Sequence, residues 1–322
     1  QPEPINRADG TDPEHATRER RSRGRVSAAL VSRGCTRCTR RRRRIAASPQ
    51  CAPPRTSGRS GRRVPVMESI RVSTPPGCDV RVYVGGDGPD LVYLHGVTGL
   101  LPDDPFLAAL SSHYRVHAPV LPGYEDSTGQ DTIDSVFAFA MHGFDVIDAL
   151  GLTRPILAGH CMGGMIAAEM AALAPNDVER LTLIGSLGLW VDAQPVPDLF
   201  ATLPYQLPEL LFNDAQRGHE LLGSGGDFND AEFLTEFLVG NANRLGMAGK
   251  LLFPIPDRGL AKRLYRIKAP TTLIWGDADA LTPEAYLQAF SAGIANAESH
   301  VVPGGHMVHY ENTAGVISTM VG

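Results

Sequence analysis

The stretch Arg154-Pro-Ile-Leu-Ala-Gly-His-Cys-Met-Gly-Gly-Met-Ile-Ala-Ala-Glu-Met-Ala-Ala-Leu-Ala-Pro175 decides how this chain is read. A short apolar run passes through glycines directly into an alanine-rich, helix-favouring run, which predicts a strand, a sharp turn and a helix. At the turn stands Gly159-x-Cys161-x-Gly163, with Gly164 behind it. The incoming strand and outgoing helix approach each other closely at such a turn, so the neighbours of Cys161 must lack a Cβ. Cys161 then sits at a helix N-terminus, where unpaired backbone N–H groups and the helix dipole favour a thiolate over a thiol.

This is the pattern of a nucleophile elbow with cysteine in the place usually held by serine. Two later stretches accompany it in order: Ile274-Trp-Gly-Asp-Ala-Asp279 and Gly304-Gly-His306. Together these motifs resemble the α/β-hydrolase family over roughly residues 67 to 320. The resemblance implies a mostly parallel central sheet flanked by helices. It also implies a nucleophile, Cys161, an orienting acid, Asp279, and a histidine base, His306, in the chain order of that family. Asp277 competes with Asp279 and reads as a turn residue. His309 competes with His306 and reads as a packing or capping residue. A histidine directly after Gly304-Gly305 on a late loop can swing over the strand tops to the elbow. The oxyanion donors are expected to be the backbone N–H groups of Met162, directly after the nucleophile, and of Val97, after His95-Gly96. His160 is assigned to structure beside the elbow. The site calls for no cofactor and no metal.

Charge is unevenly distributed. Residues 1–66 hold 17 Arg, no Lys and 5 acids, whereas residues 67–322 hold 13 basic and 30 acidic groups. A domain that acidic is a poor nucleic-acid binder. The run Arg40 to Arg44 lies among Ser, Pro and Gly with no apolar periodicity, so residues 1–66 are expected to be disordered and dispensable. Two functional readings, a nucleic-acid arm and an organelle-targeting segment, compete with a third. In the third, the segment is GC-rich sequence upstream of a true start at Met67 and no part of the native protein. The third is preferred, because transit peptides are poor in acids whereas residues 3–19 carry several. Cys35-x-x-Cys38 resembles half a zinc site, but no second pair follows.

Of the five cysteines only Cys78 and Cys161 lie beyond residue 66, and no disulfide framework is suggested. No stretch approaches about 18 consecutive apolar residues, and no apolar core of a secretory signal opens the chain. A cytoplasmic protein without membrane association is therefore expected, acting on a small molecule, with its oligomeric state left open.

Along the chain, strands are predicted at Ile70–Val72 and Val80–Val84 (both edge strands), Leu91–Leu94, Tyr114–Leu121, Val178–Ile184, Pro270–Trp275 and Ser299–Val302. Helices are predicted at Thr132–Leu150, Pro283–Ser291 and Thr313–Met320. The alternation of strand and helix breaks between about 187 and 267, a helix-rich, Pro-punctuated segment bearing Trp190, Phe200, Tyr205, Phe212, Phe228, Phe233, Phe237 and Phe253. By resemblance this is a cap over the site. Most of its aromatics are assigned to its own small core and a few to the substrate.

The expected activity is cofactor-free hydrolysis of a small apolar carboxylic ester, lactone or thioester through a Cys-His-Asp triad and an acyl-enzyme intermediate. The elbow cysteine resembles that of dienelactone hydrolases, whereas the long cap resembles the lid-bearing branch with its carbon–carbon-bond hydrolases, esterases and lactonases. Haloalkane dehalogenases and epoxide hydrolases, with aspartate at the elbow, are disfavoured. Acyl transfer, carbon–carbon cleavage and a ligand-binding protein without turnover stand as alternatives.

Overall fold

The computed structural model describes residues 67–223, 226–227 and 229–322. The arginine-rich segment with Cys35, Cys38 and Cys51, and also Ser224 and Phe228, lie outside the described residues.

Eight strands form one sheet: β1 (Glu68–Thr74), β2 (Cys78–Gly85), β3 (Asp90–Leu94), β4 (Arg115–Pro119), β5 (Ile156–His160), β6 (Leu181–Ile184), β7 (Thr271–Gly276) and β8 (Ala297–Val302). Their order across the sheet is β1-β2-β4-β3-β5-β6-β7-β8. β1 pairs antiparallel with β2 and β2 antiparallel with β4, and every later pairing is parallel. The mostly parallel sheet is therefore as expected. Of the two strands read as edges, only β1 is one, since β2 pairs on both sides.

The central strand β5 is buried at every residue. That explains its continuous apolar run, because a strand covered by helices on both faces has no solvent side to alternate with. The helices are α1 (Pro105–Leu110), α2 (Val136–Ala149), α3 (Met162–Leu173), α4 (Leu207–Leu211), α5 (Ala215–Leu222), α6 (Ala231–Leu252), α7 (Glu284–Gly293), α8 (Val308–Glu311) and α9 (Thr313–Val321). α2 begins at Val136, four residues after the expected Thr132. The Oγ of Ser135, in an extended conformation, accepts from Ala138 N and caps the helix, while Thr132 Oγ1 donates to Gly129 O in the preceding turn.

α3 is buried from Met162 to Ala172 and runs along the centre of the sheet. Its one charged residue, Glu169, is fully buried. Arg263 meets it with both arms of its guanidinium, at 2.8 Å from Nε and 2.5 Å from Nη2. Residues between β6 and β7 form α4, α5, α6 and short 3₁₀ turns. No helix among the described residues is long and apolar enough to cross a membrane.

The parallel strands all point their C-terminal ends to one edge. Val97 follows β3 there, Cys161 follows β5, Gly185 follows β6, Asp277 and Asp279 follow β7, and the His306 loop follows β8. In open sheets of this kind the crevice beyond the strand ends is where ligands bind.

Candidate active site

The turn between β5 and α3 has the geometry that its glycines imply. Cys161 has φ 55° and ψ −119°, a conformation that is uncommon for a residue with a side chain. A Cβ at Gly159 would come within 2.4 Å of the Gly163 carbonyl oxygen, and one at Gly163 within 2.1 Å of Leu94 O. Gly96, on the neighbouring loop, has the same role, since a Cβ there would lie 2.9 Å from the Cβ of Cys161. The strained turn at Cys161 is thus packed by two close backbone approaches and by Gly96 against its side chain.

Asp279 and His306 are brought together. His306 Nδ1 lies 2.9 Å from Asp279 Oδ2, and both side chains are buried. The carboxylate is itself fixed. Its Oδ1 accepts from Leu281 N at 3.0 Å and Thr282 N at 2.8 Å, and its Oδ2 accepts from Thr282 Oγ1 at 2.9 Å. With those bonds made, the remaining lone pair of Oδ2 faces the imidazole and sets its tautomer, with the proton on Nδ1. The other ring nitrogen, Nε2, is buried and has no hydrogen bond of ordinary geometry among the described residues. Burial disfavours a charge on His306, but attraction from Asp279, and then from Cys161, outweighs it and pushes the pKa up to about 10.

Asp277 does not reach the imidazole. Its Oδ1 accepts from Gly304 N at 3.0 Å, while Glu311 Oε2 accepts from Gly305 N at 2.6 Å. Two carboxylates therefore pin the backbone of the histidine loop from either side. His309 lies on α8, away from Asp279. Its ring packs 4.2 Å from that of His160, 5.2 Å from Phe106 and 4.0 Å from Tyr310, and burial pulls its pKa down to about 3. A neutral, buried imidazole at this position is packing. His160 is structural too, with Nε2 donating to the His306 carbonyl at 3.0 Å and its pKa held well below the usual value by burial.

Met162 opens α3, so its N–H is one of the four that a helix leaves without an internal partner. Val97, Cys161 and His306 line one cavity, of about 20 Å³. That is room for about one water. Five residues of the β6–β7 segment close it: Leu199, Leu207, Leu211, Asn241 and Leu245. The segment's described aromatics are absent from this lining; Tyr205 and Phe237 border a separate, larger cavity within the segment. Phe200 packs edge-on to Phe253 at 5.7 Å, Phe212 is buried, and Trp190 donates to Asp192. Branched aliphatic chains fill the narrow gap in their place.

Sequence reading missed four contributors. Thr282 was signalled only by its place three residues after Asp279, and Glu311 by nothing local. Gly185 was not marked as special, yet with φ 48° a Cβ there would sit 3.2 Å from both Asp279 Oδ2 and His306 Cε1. Asn241 gave no signal among the apolar residues of α6. Among the described residues no group of three or more His, Cys, Asp or Glu side chains is arranged to hold a metal.

Comparison with known proteins places this geometry. The family profile described as "Alpha/beta hydrolase family" matches residues 91–319. The chain is 29% identical over 241 residues to the dihydrolipoyllysine-residue acetyltransferase component of the acetoin cleaving system of Pseudomonas putida; the match covers 71% of this chain but only 61% of that protein. It is 28% identical over 255 residues to the 2-hydroxy-6-oxo-6-phenylhexa-2,4-dienoate hydrolase of Comamonas testosteroni, covering 70% of this chain and 84% of the other. Among solved structures, the enol-lactonase of Burkholderia xenovorans superposes with a TM-score of 0.63 at 18% identity, over 78% of this chain and 98% of that one, a likeness of fold.

Proposed function

The chain belongs to the alpha/beta hydrolase family, and on that premise we propose that it is a cofactor-free hydrolase of apolar carboxylic esters, lactones or thioesters, with Cys161 as nucleophile. The observation that carries this reading is the ordered line of Asp279, His306 and Cys161. The 2.9 Å contact leaves His306 Nε2 free to exchange a proton beside a strained elbow cysteine.

In this reading the Cys161 thiolate attacks the substrate carbonyl, and its electron pair forms the carbon–sulfur bond while the carbonyl pair moves to oxygen. The N–H groups of Val97 and Met162 receive that oxyanion as fixed dipoles. Collapse expels the alkoxide or thiolate, which takes the proton from the His306 imidazolium and leaves a thioester on Cys161. His306, now neutral, takes a proton from water, whose hydroxide displaces Cys161 and releases the acid. Asp279 holds the ring through both halves and stabilises its charged form.

The β6–β7 segment acts as a cap, which excludes bulk water from the thioester until His306 is placed to activate one molecule. The relatives named as a dienoate hydrolase and as an acetyltransferase component favour two neighbouring readings, carbon–carbon-bond hydrolysis and acyl transfer. Both use the same nucleophile and differ in the bond broken or the acceptor. The free thiols Cys78 and Cys161 suit the cytoplasmic location that we propose with this activity.

Pre-steady-state release of p-nitrophenol from a p-nitrophenyl ester tests the proposal. A burst of one equivalent per chain, followed by slower turnover to the free acid, is expected. Its persistence in Cys161→Ala would overturn the assignment. Product analysis with and without added alcohol or thiol separates hydrolysis from transfer.

A further inference from the structure

The catalytic cavity, at about 20 Å³, has no room for an apolar acyl chain. Space exists elsewhere on the same two helices, α4 and α6. A second cavity of about 370 Å³ lies within the β6–β7 segment, lined by Pro204, Tyr205 and Pro208 on one side and Leu234, Phe237 and Leu238 on the other. Two helices belong to both cavities. On α4, Leu207 and Leu211 face the catalytic cavity, while Pro208 faces the larger one. On α6, Asn241 and Leu245 line the catalytic cavity and Leu234, Phe237 and Leu238 the larger one. Counted from Leu234 these five positions fall at i, i+3, i+4, i+7 and i+11, so they form a single stripe along the helix. α6 thus contributes to both cavities, and on α4 the chain neighbours Leu207 and Pro208 each line one of them.

The larger cavity is mainly apolar, with His219 of α5 also in its wall, and incompletely covered, with Leu234 at 36% and Leu238 at 49% of full exposure. Exposed apolar surface of that kind marks a place that something else covers. Asn241 is the one polar residue of the stripe, and it stands on the catalytic side of the junction.

We propose that the larger cavity is the subsite for an unbranched aliphatic acyl chain, entered past Asn241 and running along α6 to Leu234. This deepens the hydrolase reading and rests on it. From Asn241 to Leu234 the helix advances about 10 Å. At a projected length of about 1.3 Å per carbon, from a carbon–carbon bond of about 1.5 Å, that accommodates an acyl chain of about eight carbons. The Asn241 amide meets the carbonyl end of the chain, where its polarity is needed, and the leucines meet the methylenes.

The test is a series of p-nitrophenyl esters from acetate to decanoate, with the full chain and with Leu234→Trp and Leu238→Trp, which fill the cavity. For the parent, kcat/KM should rise by up to about fourfold per added methylene up to about eight carbons and then level off. In either tryptophan variant the octanoyl-to-acetyl ratio should fall at least about tenfold, chiefly through KM. Unfolding midpoints of both variants identify one that has lost its fold, and Leu238→Ala, which enlarges the cavity, should shift the preferred chain length upward. Calorimetric titration of octanoate into Cys161→Ala measures the same subsite without turnover, and Leu234→Trp should weaken that affinity by a similar factor. Absence of ester turnover with octanoate binding intact would remove the hydrolase reading and leave the subsite standing. A folded tryptophan variant with an unchanged ratio and unchanged octanoate binding would overturn the subsite. So would light scattering that shows a dimer split by Leu238→Glu with no change in chain-length preference, which would assign this face to a second copy.

Discussion

Helices α3 and α6 meet at the catalytic cavity and are held in place in different ways. α3 is buried over nearly its whole length, and its single charge is paired with Arg263. α6 has 22 residues, of which only Met247, Ala248, Leu251 and Leu252 are buried, all in its last turns. Among its hydrogen bonds to the rest of the fold, Arg244 donates to Thr98 O at 3.3 Å, Tyr124 donates to Arg244 O at 3.3 Å, and Lys250 donates to Ile133 O at 3.0 Å. A helix whose neighbours fix it on all sides can hold a strained nucleophile at its N-terminus. One whose buried residues all lie at its C-terminal end can shift its more exposed turns to admit a substrate. In the proposed reading the chemistry is therefore fixed to the first helix, and selectivity to the second.

The largest effect should come from loosening the rigid side at the triad. Asp279→Asn keeps the shape of the side chain but removes the charge that holds His306 as imidazolium, so kcat should fall by about 10²–10⁴-fold with little change in KM. Steady-state kinetics on one ester series checks this. Asp277→Asn, which touches only the Gly304 N–H, should cost far less, and a comparable loss would place the acid at Asp277.

Acid is the next lever, and it acts on the same side. Burial pulls the pKa of His95 and of His142 down to about 4 and that of His309 to about 3, while His160 is also lowered. Below pH about 6.5 the unfolded chain takes up protons that these four rings refuse in the fold. Their contribution to stability is thus complete above that pH and is lost as pH falls toward 4, on the order of 1 kcal/mol per ring per pH unit. His306 has the opposite sign. Its raised pKa makes its contribution complete below pH about 6.5, and that contribution is lost as pH rises toward about 10. Urea unfolding at several pH values should therefore show a maximum near neutrality. A stability that is flat from pH 5 to 7 would mean that the four imidazoles are hydrated.

Arg263→Ala strands the Glu169 carboxylate in the core and should cost about 3–5 kcal/mol of stability. The double change Glu169→Leu with Arg263→Leu should recover much of that loss. On α6, Val239→Ser at a position 55% exposed should change stability by no more than about 0.5 kcal/mol. A large loss there would show that the helix is packed more tightly than the comparison holds.

The same division explains what could be read in the sequence. β5, the elbow and α3 were legible because glycine spacing, an apolar run and alanine-rich helix propensity all point to one local answer, and the structure places them as expected. The choice of Asp279 over Asp277 and of His306 over His309 came from the family resemblance and the loop order, and the geometry brings the chosen pair to 2.9 Å. The start of α2 was misplaced because Thr132 is as good a local cap as Ser135. Only the turn at Gly129, which claims the Thr132 hydroxyl, decides between them. In the β6–β7 segment, apolar residues fall on both covered and uncovered faces of α6. Periodicity therefore could not tell which of them reach the site: most of the aromatics were assigned to the segment's own core and a few to the substrate, and the cavity at Cys161 is lined by leucines. Asn241 and Gly185 act through distant neighbours, which no local pattern announces.

The central claim is that Cys161 carries the acyl group, and mass spectrometry of the protein quenched in acid during turnover of a p-nitrophenyl ester tests it most directly. The account predicts one added acyl mass per chain, mapped by peptide sequencing to Cys161 and longer-lived in His306→Ala, where no base activates the water. Turnover without any adduct on Cys161, at a rate that Cys161→Ala leaves unchanged, would contradict it.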